Sequence, residues 1–312
     1  MQKILLIRFS SLGDIILCFP LVNKLRKENA GIKISFLTKK KFSSILKLHP
    51  YIDEIIEIDE ENISVTKKII KEKNFDLILD LHKRFLSYKV TSDVKNKVRR
   101  IKKDNFKKFL LVKFKWNRFK EIIPVYEKYI RALEEGVHPF TSSPLTFNKE
   151  RKYPEKYILV SPCAKHYTKT WPAWKFIDYF HTYIDQTFII IGENNEREMG
   201  ICAKIGSECK NVINMCGKLN YEELAGYIYN SEYVICNDSA ILHFAEALGK
   251  PVKAIFGSTV REFGFFPSLE ESRVYEDRRL ECRPCTHIGR SECPLGHFKC
   301  MDENELIMIE IT

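Results

Sequence analysis

The amino-acid sequence predicts an α/β chain of doubly wound, parallel sheets, and three observations predict it. Short apolar runs recur at residues 3–8, 32–38, 55–58, 77–81 and 98–101, and again at 157–160, 188–192, 212–215, 233–236 and 252–256. Helical patterns such as residues 64–71 separate them, and alternation of strand with helix builds parallel sheets. Residues 138–156, with Pro139, Pro144 and Pro154, read as a linker between the two series. With 312 residues the chain is long enough for two domains, each with its own core.

The first strand runs into the polar turn Phe9-Ser10-Ser11-Leu12-Gly13-Asp14, and an apolar helical pattern follows through Leu25. Pro20 must begin a second helical segment or kink the first. Asp14 stands where loop becomes helix, at the carboxyl end of a strand. That is a site position in a doubly wound fold, and equally a position where a carboxylate stabilises the helix dipole. Lys83 and Arg84 follow the strand at 77–81; they could meet an anion, or simply be exposed at a helix start. Residues 102–120 carry seven Lys and one Arg against one Asp, interleaved with Phe106, Phe109, Phe114, Trp116 and Phe119. A solvated face needs no such aromatics. Lys107, Lys108 and Trp116 suit a surface that meets anionic headgroups or a phosphorylated glycolipid, although nucleic acid makes similar demands. Residues 122–136 read as a helix before the linker.

In the second half, the strand at 157–160 opens into Ser161-Pro162-Cys163-Ala164 and a loop ending at Lys169-Thr170-Trp171-Pro172, with Pro172 placed to begin a helix. The strand at 188–192 precedes Glu193-Asn194-Asn195-Glu196, where a carboxylate could accept both hydroxyls of a ribose. Residues 233–259 form one βαβ unit. Asp238 or Ser239 can cap its helix, Ile241, Phe244, Ala245 and Leu248 recur at helical spacing, Gly249 stops it, and the second strand opens into Gly257-Ser258-Thr259. The helix N-terminus offers free N–H groups and partial positive charge at a strand's carboxyl end, so a phosphate is its natural guest. Near the C-terminus, Cys282, Cys285, Cys293 and Cys300 fall within nineteen residues, with His287 and His297 among them. Four thiolates could close a tetrahedral structural zinc site; packing as small apolar residues is the alternative.

Composition narrows the function classes. A formal charge of +10 suggests an anionic partner. Ten scattered cysteines fit reduced thiols in a cytosolic enzyme better than a disulfide scaffold. Arg8, Gly13 and Asp14 interrupt the N-terminal apolar run, which opposes a signal peptide. No stretch approaches the ~18 apolar residues of a membrane span. The expected location is therefore the cytoplasm, with at most peripheral contact with the inner face of the cytoplasmic membrane. No G-x-G-x-x-G follows any strand, which opposes an NAD oxidoreductase, and the absence of a nucleic-acid motif weakens that class.

Several of these segments also carry a resemblance. Arg8-Phe9-Ser10-Ser11-Leu12-Gly13-Asp14-Ile15-Ile16, the strand Phe75-Asp76-Leu77-Ile78-Leu79-Asp80-Leu81-His82, Lys169-Thr170-Trp171-Pro172, Asn237-Asp238-Ser239, Ala247-Leu248-Gly249-Lys250-Pro251 and Phe256-Gly257-Ser258-Thr259 resemble glycosyltransferase family 9, the bacterial lipopolysaccharide heptosyltransferases. The resemblance spans residues 3–301 with the motifs in the family's order. It implies the GT-B fold, two Rossmann-like domains facing across a cleft that closes during catalysis: an acceptor-side domain over residues 1–150, and a donor domain over residues 151–312 with a Cys-rich tail. It implies Asp14 as general base, Lys169 on the donor diphosphate, Glu196 as ribose ligand with Glu193 as its rival, and Leu219 beside the base. Asp238, Ser239 and His243 would complete the donor site. Cys163 and Ala240 stand where the family usually has Gly. The implied activity is inverting transfer of heptose from ADP-heptose to the lipopolysaccharide inner core, with an anionic glycolipid acceptor (lipid A bearing Kdo, or a heptosylated core) and no cofactor required for catalysis. The alternatives are a family member using another nucleotide sugar, and a non-catalytic module binding nucleotide sugar or nucleic acid. Asp14 opposes a non-catalytic module, and no nucleic-acid partner is expected.

Overall fold

A computed structural model of the chain describes residues 1–151, 153 and 156–303. Pro154 of the expected linker lies outside the described residues. The chain forms two compact units, one of Met1–Lys103 with Val125–Phe147 and one of Asp104–Pro124 with Asn148–Thr312. Of the basic aromatic segment at 102–120, Lys102 and Lys103 thus belong to the first unit and the rest, within 104–124, to the second.

The first unit is built from β1 (Lys3–Ile7), α1 (Leu12–Ile16), α2 (Phe19–Glu28), β2 (Lys33–Thr38), α3 (Ser43–Leu46), β3 (Glu54–Glu57), α4 (Ile63–Lys73), β4 (Leu77–Asp80), α5 (Phe85–Val90) and β5 (Val98–Arg100). The chain then supplies α6 (Asn105–Phe114) to the other unit and returns with α7 (Val125–Ile130). The strands pair in parallel in the order β3-β2-β1-β4-β5. Central β1 is apolar because helices cover both its faces: Leu5, Leu6 and Ile7 are fully buried. Pro20 occupies the second position of α2, where its missing N–H has no helical acceptor to lose, so the N-terminal pattern divides into two helices. The helix expected over 122–136 shrinks to α7, because Pro124 disfavours helical backbone at the residue before it.

The second unit contains α6, β6 (Ile158–Ser161), α8 (Ala173–Thr182), β7 (Phe188–Ile190), α9 (Glu196–Glu208), β8 (Val212–Asn214), α10 (Tyr221–Asn230), β9 (Val234–Asn237), α11 (Ala240–Ala247), β10 (Val252–Ile255), β11 (Arg273–Tyr275) and α12 (Lys299–Asp302). Its sheet is also parallel, in the order β11-β10-β9-β6-β7-β8. β11 was not foreseen, since three residues with an exposed Arg273 carry no apolar run. Pro172 caps α8 from outside instead of starting it. In each sheet the first strand lies centrally and the chain builds outward on one side before crossing to the other. The two switch points are β1/β4 and β6/β9, and loops at the carboxyl ends there are where doubly wound sheets hold ligands. Among the described residues no helix is long and apolar enough to cross a membrane.

Candidate functional site

The loops after β1 and β4 meet at the first unit's switch point. Arg8, one residue past β1, donates Nη1 to the Leu81 carbonyl at 2.6 Å and places Nη2 2.7 Å from Oδ2 of Asp14. Asp14 lies in the first turn of α1. Ser11, the residue capping that helix, donates its backbone N–H (3.1 Å) and hydroxyl (2.7 Å) to the same carboxylate oxygen. On the other side the Tyr129 hydroxyl of α7 donates to Oδ1 at 3.1 Å. The Asp14 side chain keeps 16 % of its surface exposed. Burial alone would raise its pKa, but Arg8 and the Ser11 hydrogen bonds outweigh that and hold the carboxyl below the usual range. Burial pushes Tyr129 up, so it stays a neutral donor. The result is an ionised, oriented carboxylate with part of its surface open.

The β4 loop adds positive charge. Asp80, fully buried at the end of β4, accepts the N–H groups of His82 (3.1 Å) and Lys83 (2.7 Å) on Oδ1, and Ser87 Oγ (2.8 Å) and Arg100 Nε (3.0 Å) on Oδ2. This network sets the path of residues 81–84. Lys83 takes left-handed backbone (φ 45°) and is half-buried, while Arg84 is exposed. Lys103 reaches back to the carbonyls of His82 (2.5 Å) and Lys83 (3.1 Å). Burial, with Arg8 and Arg84 nearby, pushes Lys103 down to about 8. Burial, then Arg8 and Lys103, push His82 down to about 4. Tyr129 carried no sequence signal, and Lys103 was legible only as part of the basic segment at 102–120, since both are far along the chain from Asp14. Asp80 could have been found as a carboxylate that closes an apolar strand.

In the second unit the loops after β6, β9 and β10 converge at the other switch point. Lys169 Nζ, on the β6 loop, lies 2.6 Å from Oδ2 of Asp238, and the Thr259 hydroxyl donates to that oxygen at 2.7 Å. Asn237 joins the same loops: its Oδ1 accepts the Trp171 N–H (3.0 Å) and its Nδ2 donates to the Pro162 carbonyl (2.9 Å). Ser239, not Asp238, caps α11. The hydroxyls of Ser239 and Ser258 are buried and have no hydrogen-bond partner among the described residues. A buried hydroxyl without a partner is costly, and here two of them accompany Lys169 and a helix N-terminus. Together these groups can receive a diphosphate. His243 lies one turn into α11, 5 % exposed, with its ring 6.0 Å from that of Phe265.

The β7 and β8 loops border this centre. Glu196 is exposed in the first turn of α9, and Glu193 is exposed just before it. The carboxylate turned inward is Glu198, which accepts the Glu193 N–H at 2.8 Å and shapes the turn. Gly217 has φ +72° and lies against Asn194, where an added Cβ would stand 3.3 Å from a backbone carbon. Only glycine combines that backbone with that approach, and it brings the loop carrying half-buried Leu219 beside residues 193–196. Arg197 was also missed; it donates to the Ala164 carbonyl (2.9 Å) and Thr170 Oγ1 (3.1 Å), bracing the Lys169 loop.

Of the expected acceptor-surface residues, Trp116 is 57 % exposed and Lys107 stands 3.4 Å from Asp104. Lys108 differs: its ammonium sits 5.5 Å from the Phe263 ring centre and 5.6 Å from that of Phe265, in the same unit. The four cysteines of the zinc expectation come together in the second unit. Cys282, Cys285, Cys293 and Cys300 do line one cavity of about 20 Å³, with His297, Thr168 and Ser258. Among the described residues, however, no three His, Cys, Asp or Glu side chains stand as a set that could hold a metal ion. Burial pushes the Cys285 thiol up and that of Cys300 up to about 12, and Cys300 and Met301 pack into the second unit's core as apolar residues.

Residues 64–295 match the model of glycosyltransferase family 9 (heptosyltransferase). Lipopolysaccharide heptosyltransferase 1 of Campylobacter coli is 24 % identical over 293 residues, covering 83 % of this chain and 84 % of that protein. Lipopolysaccharide heptosyltransferase 3 of Escherichia coli is 23 % identical over 79 % of this chain and 81 % of its own length. The solved structure of E. coli ADP-heptose lps heptosyltransferase II superposes with a TM-score of 0.72 at 17 % identity, covering 97 % of this chain and 98 % of that one. The fold is therefore GT-B, with one Rossmann-like unit after the other, and the chain belongs to glycosyltransferase family 9.

Proposed function

We propose that the protein is an inverting glycosyltransferase that moves heptose from ADP-heptose to the inner core of a lipopolysaccharide. The observation that carries the reading is the set at the β6/β9 switch point: Lys169 held by Asp238 beside the unpartnered Ser239 hydroxyl at the start of α11. Such a set stabilises charge that develops on a departing diphosphate. The relatives named for lipopolysaccharide heptosyl transfer support the choice of sugar and acceptor. In the first unit Asp14 takes the proton of the acceptor hydroxyl. That oxygen attacks the anomeric carbon from the face opposite the diphosphate, the bond to the phosphate oxygen breaks, and its electron pair leaves on ADP with inversion at carbon. Glu196 or Glu193 binds the ribose hydroxyls, Leu219 borders the adenine, and His243 supports the α11 end of the site. Lys103, Lys83 and Arg84 meet the acidic groups of the acceptor.

The test is product analysis. Incubated with ADP-heptose and lipid A bearing Kdo, or with a heptosylated core, the protein is expected to add one heptose, read by mass spectrometry. Transfer only from a different nucleotide sugar overturns the donor assignment. No transfer from any donor, with ADP binding intact, overturns the catalytic reading.

A further inference from the structure

Several side chains of residues 104–124 anchor the segment in the second unit. Leu111 is buried, and Lys108 lies over the rings of Phe263 and Phe265. Lys115, in left-handed backbone at the end of α6, donates Nζ to the carbonyls of Cys282 (2.9 Å) and Pro284 (2.7 Å). Asn117 Nδ2 donates to Glu262 at 2.8 Å. Phe119 is half-buried beneath Lys107, and four other aromatics of the segment stand outside. Phe106 is 71 % exposed, Phe109 53 %, Phe114 48 % and Trp116 57 %. They are not scattered: the Phe109 and Phe114 ring centres are 5.9 Å apart, and those of Phe114 and Trp116 are 5.3 Å apart. Lys113, Arg118 and Lys120 are exposed along the same segment, which carries six basic side chains against two acidic ones.

A lone exposed ring needs no explanation, whereas a continuous strip marks an interaction surface. We propose that this strip docks the protein on an anionic lipid bilayer, with the rings at the boundary between headgroups and acyl chains and the Lys and Arg side chains on lipid phosphates. Ten residues of helix reach only ~15 Å, so α6 lies in the surface and does not cross it. A second copy of the chain is the poorer occupant, because a twofold contact would set this basic border against itself. Single-stranded nucleic acid is poorer too, since Phe109, Phe114 and Trp116 pack against one another instead of standing apart for bases to stack on. The proposal draws on the transfer reading only in that a lipid-linked acceptor would be met at such a surface, and its test uses no turnover.

The full chain is sedimented with vesicles of phosphatidylcholine alone and with vesicles that also contain phosphatidylglycerol, at low and high salt. The protein is expected to bind the anionic vesicles, and to release in high salt because exposed charges are screened within ~10 Å at 0.1 M. The triple variant Phe106→Ser, Phe109→Ser, Trp116→Ser should lose at least about tenfold in partitioning. The triple variant Lys113→Gln, Arg118→Gln, Lys120→Gln should lose about fivefold per charge. Both should keep the parent's melting temperature and ADP affinity. If the ring variant fails to fold, the charge variant decides. Equal binding to both vesicle types, unchanged partitioning of the charge variant, binding to oligonucleotide but not vesicles, or a ring-dependent dimer without vesicle binding each overturn the proposal.

Discussion

Tyr129 donates its hydroxyl to Oδ1 of Asp14 at 3.1 Å, while Arg8 holds Oδ2 at 2.7 Å, so both oxygens of the proposed base are oriented by residues outside its own helix. A carboxylate serving only the α1 dipole would not need that support. Asp14→Asn keeps an oxygen for these donors but cannot take a proton. It is expected to lower kcat by ~10² to 10⁴-fold with ADP affinity unchanged; because it also leaves the mostly buried Arg8 unpaired, a stability loss of up to ~3 to 5 kcal/mol goes with it, and kcat is read on protein shown to be folded. Turnover within a few-fold of the parent at saturating substrates would reduce Asp14 to a helix-start residue.

Arg8 sets the pH dependence expected of the proposed base. Because it holds the Asp14 carboxyl below its ordinary pKa, the pair's stabilisation is present above the unfolded carboxyl's pKa and lost as pH falls through the lower folded value. In Arg8→Gln, burial becomes the dominant influence and the Asp14 pKa rises. The acid limb of kcat/KM should therefore move to higher pH. A limb that stays in place, measured with the variant folded by circular dichroism, removes Arg8 from this role.

Lys169 and Asp238 separate binding from positioning. Lys169→Ala removes the cation and should weaken ADP binding by ~10 to 100-fold, the worth of a charge-assisted hydrogen bond. Asp238→Ala leaves the cation but frees it to wander, so calorimetry should show a smaller, few-fold loss. Equal affinity in both variants and the parent would dismantle the donor site.

Glu246 gives a test of the fold. It is 2 % exposed on α11, and one of its oxygens, Oε1, accepts Ser268 N–H (2.6 Å), Leu269 N–H (2.7 Å) and Ser272 Oγ (3.4 Å). Burial nevertheless pushes its pKa up to about 7. A raised carboxyl binds more protons folded than unfolded, so stability present below pH ~4.5 is lost as pH rises through about 7. In Glu246→Gln the amide oxygen can keep all three bonds without the charge. Denaturant titration should show the variant equal to the parent at acid pH and more stable by ~1 to 3 kcal/mol above neutrality. A variant that is less stable at every pH would show that the charge itself is needed.

The sequence by itself determined most of the strands and where the loops at their carboxyl ends fall. An apolar run such as residues 3–8 has no stable home except between two helical layers, and the polar turn after it necessarily falls at the sheet's carboxyl edge. Asp14, Lys169, Asp238 and Ser239 were legible for that reason: each follows a recognisable strand or opens a helix. Tertiary structure decided everything that depends on residues far apart in the chain. Tyr129 reaches Asp14 across 115 positions and Lys103 reaches the His82 carbonyl across 21, and no local pattern encodes either contact. β11 was invisible because its ladder with β10, not its own composition, makes it a strand. Residues 104–124 read as part of the first half, yet Lys108 and Lys115 find partners in the second unit. The cysteine spacing shows only which thiols are near in the chain; that Cys282, Cys285, Cys293 and Cys300 line one cavity, with Cys300 also packed in the core, is decided by the fold. Periodicity reports the surface a segment must bury, and only the assembled chain supplies what it is buried against.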